Sequence, residues 1–89
     1  MTQGISVNDK VRQIMAKVSR IDISELEHDV RFREELGVDS LMAMEIVATC
    51  EKRLSIVLDE AELGRLETIG DFVAYVGDVF ERTHGDPRS

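Results

Sequence analysis

The residue types that carry most enzyme chemistry are sparse in this chain: one cysteine, Cys50, and two histidines, His28 and His84. They do not fall at metal-ligand spacing. No glycine-rich phosphate cradle and no nucleophile-elbow pattern is present. Intrinsic catalysis is therefore not expected. The informative hydroxyl is Ser40, in the stretch Glu34-Glu35-Leu36-Gly37-Val38-Asp39-Ser40-Leu41. That stretch reads as a loop that stops at Gly37, turns, and opens a helix with Asp39 and Ser40. At a helix start the backbone N–H groups are unpaired and the macrodipole is positive. An anionic phosphate attached to a serine there is tolerated and even favoured. Asp39 beside it is more simply a helix cap than a catalyst.

The elements that must position Ser40 follow from periodicity and caps. Ser6-Val7-Asn8-Asp9 reads as a helix start. Val7, Val11, Ile14, Met15 and Val18 then recur at helical spacing, which predicts a first helix ending near Ser19. From Arg20 to Val38 the period is lost. This is predicted to be a long ordered loop pinned by Ile23, Leu26, Phe32 and Leu36, with a helical turn at Ser24-Glu25-Leu26-Glu27. The second helix runs from Ser40 to about Leu54 and is apolar over more than half its circumference. Ile46, Val47, Cys50 and Leu54 form its inward stripe, and Leu41, Met44 and Ala48 form a second, surplus stripe. A helix needs one apolar face to pack, so the second is expected to be an exposed patch beside Ser40. Asp59 caps a short helical piece halted near Gly64. Thr68 and Asp71 form a capping box opening a last helix, whose apolar face is Ile69, Phe72, Val73, Val76 and Phe80.

The expected fold is all-α: a small four-helix bundle of three longer helices and one short one, with a long loop between the first two. Residues 1–5 are expected to be a flexible N-terminus, 6–82 the folded domain and 83–89 a disordered tail. At 89 residues the chain can build one modest core. A single cysteine excludes an internal disulfide, which fits a reducing cytoplasm. The sequence has no signal-peptide pattern and no apolar run long enough to span a bilayer. A net charge of −7 speaks against nucleic acid. The charge is uneven: residues 1–20 hold Lys10, Arg12, Lys17 and Arg20 against Asp9, whereas the first loop is acidic. That acidic loop reads equally well as a solvated surface or as a landing zone for basic partners.

With these elements in place, Leu36-Gly37-Val38-Asp39-Ser40-Leu41 resembles the phosphopantetheine attachment motif of acyl carrier proteins. The similarity covers about Ser6 to Phe80. It extends to Phe32 and Leu36 before the serine, Asp59 and Glu60 after the second helix, and Thr68-Ile69 with Tyr75-Val76 in the last. The resemblance implies a 4′-phosphopantetheine arm, taken from coenzyme A and linked to Ser40, whose thiol holds acyl intermediates as thioesters. It implies a monomeric, cytoplasmic carrier, not an enzyme. Its partners would be a phosphopantetheinyl transferase, an acyl-loading ligase or acyltransferase, and a ketosynthase or condensation enzyme, with no role for nucleic acid or membrane. Partner-binding residues carried over by position are Asp39, Leu41, Met44, Glu45 and Ala48, with Asp59, Glu60 and Glu62 at the edge.

The sequence departs from the acid-rich second helix of bacterial fatty-acid carriers. Met42 stands where an acid is usual, and Lys52 and Arg53 fall where acids are common. The run Leu41-Met42-Ala43-Met44-Glu45 is more similar to polyketide carriers, which implies polyketide, lipopeptide or related secondary-metabolite biosynthesis. Val38, where peptidyl carriers often have a second glycine, favours acyl over aminoacyl cargo. A peptidyl carrier and an unmodified helical interaction module stay open as alternatives. Cys50 is expected to be a small apolar filler, and with Val47 to line an internal slot for an acyl chain.

Overall fold

A computed structural model of the chain describes residues 6–85. The four α-helices are α1 (Val7–Ser19), α2 (Ser40–Leu54), α3 (Glu60–Leu63) and α4 (Ile69–His84). Each starts at a residue whose side-chain oxygen satisfies an orphan N–H. Ser6 accepts from Asp9, Asp39 from Met42, Asp59 from Ala61 and Thr68 from Asp71, and at Thr68 the reciprocal bond from Asp71 completes the capping box.

The core is the sum of the inward faces. Val11, Ile14 and Met15 of α1 meet Ile46, Cys50 and Leu54 of α2, and Ile69, Phe72, Val73 and Val76 of α4. α1 packs against both α2 and α4. On α4 the buried residue in the third turn is Val79, whereas Phe80 is half-buried and packs against His84, the rings tilted at 47° with centroids 4.8 Å apart. The larger aromatic had been expected to face inward.

The long first connection is ordered by backbone pairing as well as by its own buried side chains. The N–H of Ile69 donates to Val30 O at 2.9 Å, that of Phe32 to Glu67 O at 3.2 Å, and that of Gly70 to His28 O at 2.7 Å. These bonds tie the loop to the start of α4. Leu26, Phe32 and Val38 are buried and Leu36 is half-buried. Ile23, expected among the pins, is instead 41% exposed. It begins a 3-10 turn, Ile23–Glu25, held from outside by Asp22, which accepts from the N–H and the hydroxyl of Ser24. That turn leaves Leu26 to make the inward contact.

The last helix also runs past the expected domain end at residue 82. Thr83 and His84 are helical. His84 Nε2 lies 2.9 Å from the carbonyl oxygens of both Leu54 and Ser55, at the C-terminus of α2. Between two acceptors this nitrogen must carry the proton, so His84 satisfies carbonyls that the end of α2 leaves unpaired. The expected flexible N-terminus, residues 1–5, and the end of the expected tail, residues 86–89, lie outside the described residues.

Candidate functional site

The site is built at the N-terminus of α2. Gly37 turns the chain with φ of 69°, a left-handed conformation that glycine adopts without strain. Val38 is then buried, and its N–H donates to Phe32 O at 3.0 Å, anchoring the turn to the core. Asp39 follows as N-cap: its Oδ1 accepts from the Met42 N–H at 2.9 Å, and its carbonyl accepts from the Ala43 N–H at 2.9 Å.

Ser40 is the first helical residue and is exposed. Among the described residues no protein group hydrogen-bonds its hydroxyl, and the N–H groups of Ser40 and Leu41 are left for solvent or a ligand. The carboxylate next door is turned into the cap rather than toward the serine. This end of α2 therefore suits a phosphodiester on Ser40: an accessible oxygen, two spare donors and the positive pole of a fifteen-residue helix.

The residues expected to bind partners come together on one solvent face. Leu41 is 72% and Met44 67% exposed, and Glu45 and Ala48 are exposed beside them. They recur along α2 at three- and four-residue spacing, so they form one stripe running away from Ser40. Met42, between them in sequence, packs inward against the core. Asp59, Glu60 and Glu62 are exposed around the first turn of α3. Asp59 also has a structural part, because its N–H donates to the Tyr75 hydroxyl at 2.9 Å. Val57, in the short connection between α2 and α3, is 82% exposed.

Among the described residues no histidine reaches Ser40. His84 is bonded to the far end of α2, and the His28 ring lies over Gly70 at the start of α4. Among the described residues no cluster of three or more His, Cys, Asp or Glu could hold a metal ion. Cys50 is fully buried. Its thiol is pushed up to about 12, first by burial and second by the negative charge of Glu51.

A cavity of about 130 Å³ opens between α2, α3 and the first loop, lined by Phe32, Val38, Ala43, Ile46, Val47, Leu63, Leu66 and Phe72 among others. Val47 takes part as expected, but Cys50 does not: the core closes completely around it. Arg33 lines the cavity too, and its guanidinium sits 5.4 Å from the centre of the Phe32 ring. A charged residue flanking a buried aromatic gave no sequence signal for this. Leu63 and Leu66 were hidden because they belong to a one-turn helix and the bend after it.

Comparison with known proteins agrees with this geometry. A family described as the phosphopantetheine attachment site matches residues 9–76. The acyl carrier protein of Aster yellows witches'-broom phytoplasma is 37% identical over 68 residues, 76% of this chain and 90% of that one. Polyketide-8 synthase acyl carrier protein 2 of Streptomyces avermitilis is 39% identical over 61 residues, 68% of this chain and 70% of that one. The solution structure of the acetyl actinorhodin acyl carrier protein from Streptomyces coelicolor shares the fold, with a TM-score of 0.71 at 24% identity, covering 93% of this chain and 99% of that one.

The chain belongs to the acyl carrier protein family. It is a carrier rather than a catalyst, with a covalently attached 4′-phosphopantetheine as its prosthetic group, and it works by meeting biosynthetic enzymes. Among the described residues no helix is long and apolar enough to cross a membrane.

Proposed function

We propose that Ser40 carries the phosphopantetheine arm, and that the chain presents acyl thioesters to the enzymes of polyketide or related secondary-metabolite biosynthesis. The first half rests on Ser40 itself: a free, exposed hydroxyl at the mouth of α2, inside the Gly37-Val38-Asp39-Ser40-Leu41 run. The arm supplies the thiol that holds cargo, so the fold is asked for no thiol of its own. That agrees with the burial of Cys50. Asp39 holds the helix start rigid, and the unpaired N–H groups of Ser40 and Leu41 face the linkage.

The second half is carried by one observation, the apolar character of the exposed α2 stripe. Leu41 and Met44 dominate it, and Glu45 is its one acid within the first two turns. Carriers whose partners are recognised mainly through carboxylates would present an acidic stripe here. Relatives named simply acyl carrier protein and one named for a polyketide synthase are about equally similar, so identity does not rank the pathways. The stripe does. The partners proposed are a phosphopantetheinyl transferase, an acyl-loading ligase or acyltransferase, and a ketosynthase or condensation enzyme. Asp39, Leu41, Met44, Glu45 and Ala48 are proposed to meet them.

The deciding experiment is intact-mass measurement after incubation with coenzyme A and a promiscuous transferase. The wild-type chain should gain one phosphopantetheine and Ser40→Ala none. Uptake by Ser40→Ala would move the arm elsewhere, and no uptake by either would leave an unmodified interaction module. Loading of an amino acid onto the arm by an adenylating enzyme, in preference to an acyl group, would replace the acyl assignment with a peptidyl one.

A further inference from the structure

Arg33 is the one charged side chain lining the apolar cavity between α2, α3 and the first loop. It is exposed, so its guanidinium stands at the rim, while Phe32, Val38, Val47, Leu63 and Phe72 form the walls. The guanidinium carbon lies 5.4 Å from the centre of the Phe32 ring. That cation–π contact positions the group without using any of its N–H donors. The Arg33 side of the cavity is also close to the attachment point. Phe32 O accepts from the Val38 N–H at 3.0 Å, which sets this part of the loop beside Val38, two residues before Ser40. Ala43 and Val47 line the cavity from the first two turns of α2, the helix that Ser40 opens.

Several cations of this chain lack an ion pair, so Arg33 is set apart by its place and by where the neighbouring acids go. Glu34 and Glu35 follow it directly, yet both are taken by Arg31. Glu34 Oε1 lies 3.4 Å from Arg31 Nη1, and Glu35 Oε2 accepts from the Arg31 N–H at 3.1 Å. Glu67, at 3.1 Å, completes the set around Arg31. No carboxylate lines the cavity, and no other charged, hydroxyl or amide side chain does. A fork of donors is thus left at the rim of a pocket that offers a ligand no other polar side chain. A saturated acyl chain gives that fork only its thioester carbonyl. A 3-oxoacyl chain gives two carbonyl oxygens in a 1,3 relation, which can turn to one side and accept from one guanidinium as a carboxylate does. A 3-hydroxyacyl chain also has a proton to place, and arginine has no acceptor for it. A carboxylate at the far end of a chain matches the fork but carries its charge into the apolar interior first.

We propose that Arg33 is a specificity-determining residue for cargo. It holds the paired carbonyl oxygens of a short 3-oxoacyl group at the rim while the alkyl tail enters the cavity. The chain therefore shelters that class in preference to a saturated acyl group of equal length. This rests on the reading of Ser40 as the attachment point of the arm and deepens it by naming the class of cargo.

The test loads the full chain, through a transferase, with coenzyme A analogues bearing hexanoyl, 3-oxohexanoyl or glutaryl groups, amide-linked so that they do not hydrolyse. Intact mass establishes loading, and NMR then reads the Val47 and Leu63 methyls and the Arg33 Nε–H. Both six-carbon cargoes should shift the methyls, but only 3-oxohexanoyl should move the Arg33 Nε–H by more than a linewidth. In Arg33→Gln the ratio of cavity-bound to solvent-exposed 3-oxohexanoyl should fall about fivefold, the order expected for one net hydrogen bond. The hexanoyl ratio should not change, which also shows that the variant keeps its fold and its cavity. Arg33→Lys, with the charge but not the fork, should fall between the two. A silent Arg33 Nε–H with 3-oxohexanoyl would overturn the proposal, as would an equal response to hexanoyl or a larger one to glutaryl. So would an Arg33→Gln that weakens both six-carbon cargoes alike, since Arg33 would then be purely structural. A chain that gains no mass overturns the attachment reading and this inference together. A loaded chain with a silent Arg33 overturns this inference alone.

Discussion

The imidazole of His28 occupies the space that a Cβ on Gly70 would need. The two residues are also joined through the backbone, where the Gly70 N–H donates to His28 O at 2.7 Å. Glycine near the start of α4 is thus a packing requirement, not a helix signal. In isolation Gly→Ala inside a helix gains about 1 kcal/mol. Here Gly70→Ala should instead lose about 1 kcal/mol, because the ring must leave its place or the loop must shift. In the His28→Ala background the same substitution should become stabilising. Urea denaturation of the four chains measures this change of sign, and a stabilising Gly70→Ala in the wild-type background would refute the contact.

This contact also explains which parts of the fold were legible in the sequence. Helix starts were, because Ser6, Asp39, Asp59 and Thr68 are residues whose side chains cap by chemistry alone. Helix ends were less so. α1 and α2 close on Arg20 and Ser55, both left-handed at φ of 61° and 54°, with no glycine to mark them. The first loop is held by backbone bonds from Val30 and Phe32 to residues near Thr68, and such bonds leave no trace in side-chain type. At the site, the exposed stripe of Leu41, Met44 and Ala48 followed from helical periodicity. The cavity did not, because it needs α3, the bend after it and the first loop together.

Asp71 makes the fold sensitive to acid. Its carboxyl is held below the usual carboxylate range chiefly by accepting from the Thr68 backbone N–H, then by the Glu67 N–H, with the Thr68 hydroxyl and His28 assisting. A group whose folded pKa is depressed adds stability above its unfolded value and loses it as pH falls through the folded one. Denaturation midpoints should therefore drop below about pH 4, and Asp71→Asn should flatten that part of the profile. Thr68→Ala, which removes the other half of the capping box, should cost about 1 kcal/mol at neutral pH. An unchanged acid limb in Asp71→Asn would assign the sensitivity to other carboxylates.

Cys50 should be invisible to thiol reagents while the fold is intact. Burial and a raised pKa of about 12 both suppress the thiolate. Iodoacetamide at pH 8 should add no label to the unmodified chain and one label to the phosphopantetheine-bearing chain, on the arm. Denaturant should add one further label to each. Native labelling of Cys50, located by peptide mass, would show that α2 opens readily.

Met44 is expected to matter to partners and not to folding. As a largely exposed residue it can change with little effect on stability, within about 0.5 kcal/mol. Met44→Glu should lower acyl-transfer kcat/KM by about tenfold, the loss typical of an interface anchor, while far-UV circular dichroism stays unchanged. A salt series separates the two ways partners could be held. If Glu45, Asp59, Glu60 and Glu62 steer encounter, transfer slows as ionic strength rises; if the Leu41–Met44 stripe dominates, it is nearly indifferent. The apolar stripe predicts the weaker salt dependence.

The cavity sets a size on any cargo that folds back from the arm. Its volume of about 130 Å³ is close to that of an apolar cavity able to hold benzene, so it accepts about four to six carbons and no more. Burying each methylene is worth about 0.8 kcal/mol, and even partial burial of such a chain should exceed 1 kcal/mol. For a domain of this size that is a rise in Tm of about 4–8 °C per kcal/mol. Butyryl- and hexanoyl-loaded chains should therefore melt above the unacylated form, whereas a dodecanoyl chain should add nothing further. Val47→Phe, which fills the space, should abolish the gain without preventing loading. Identical melting of all the loaded forms would mean that the cargo stays in solvent and that the cavity serves the packing alone.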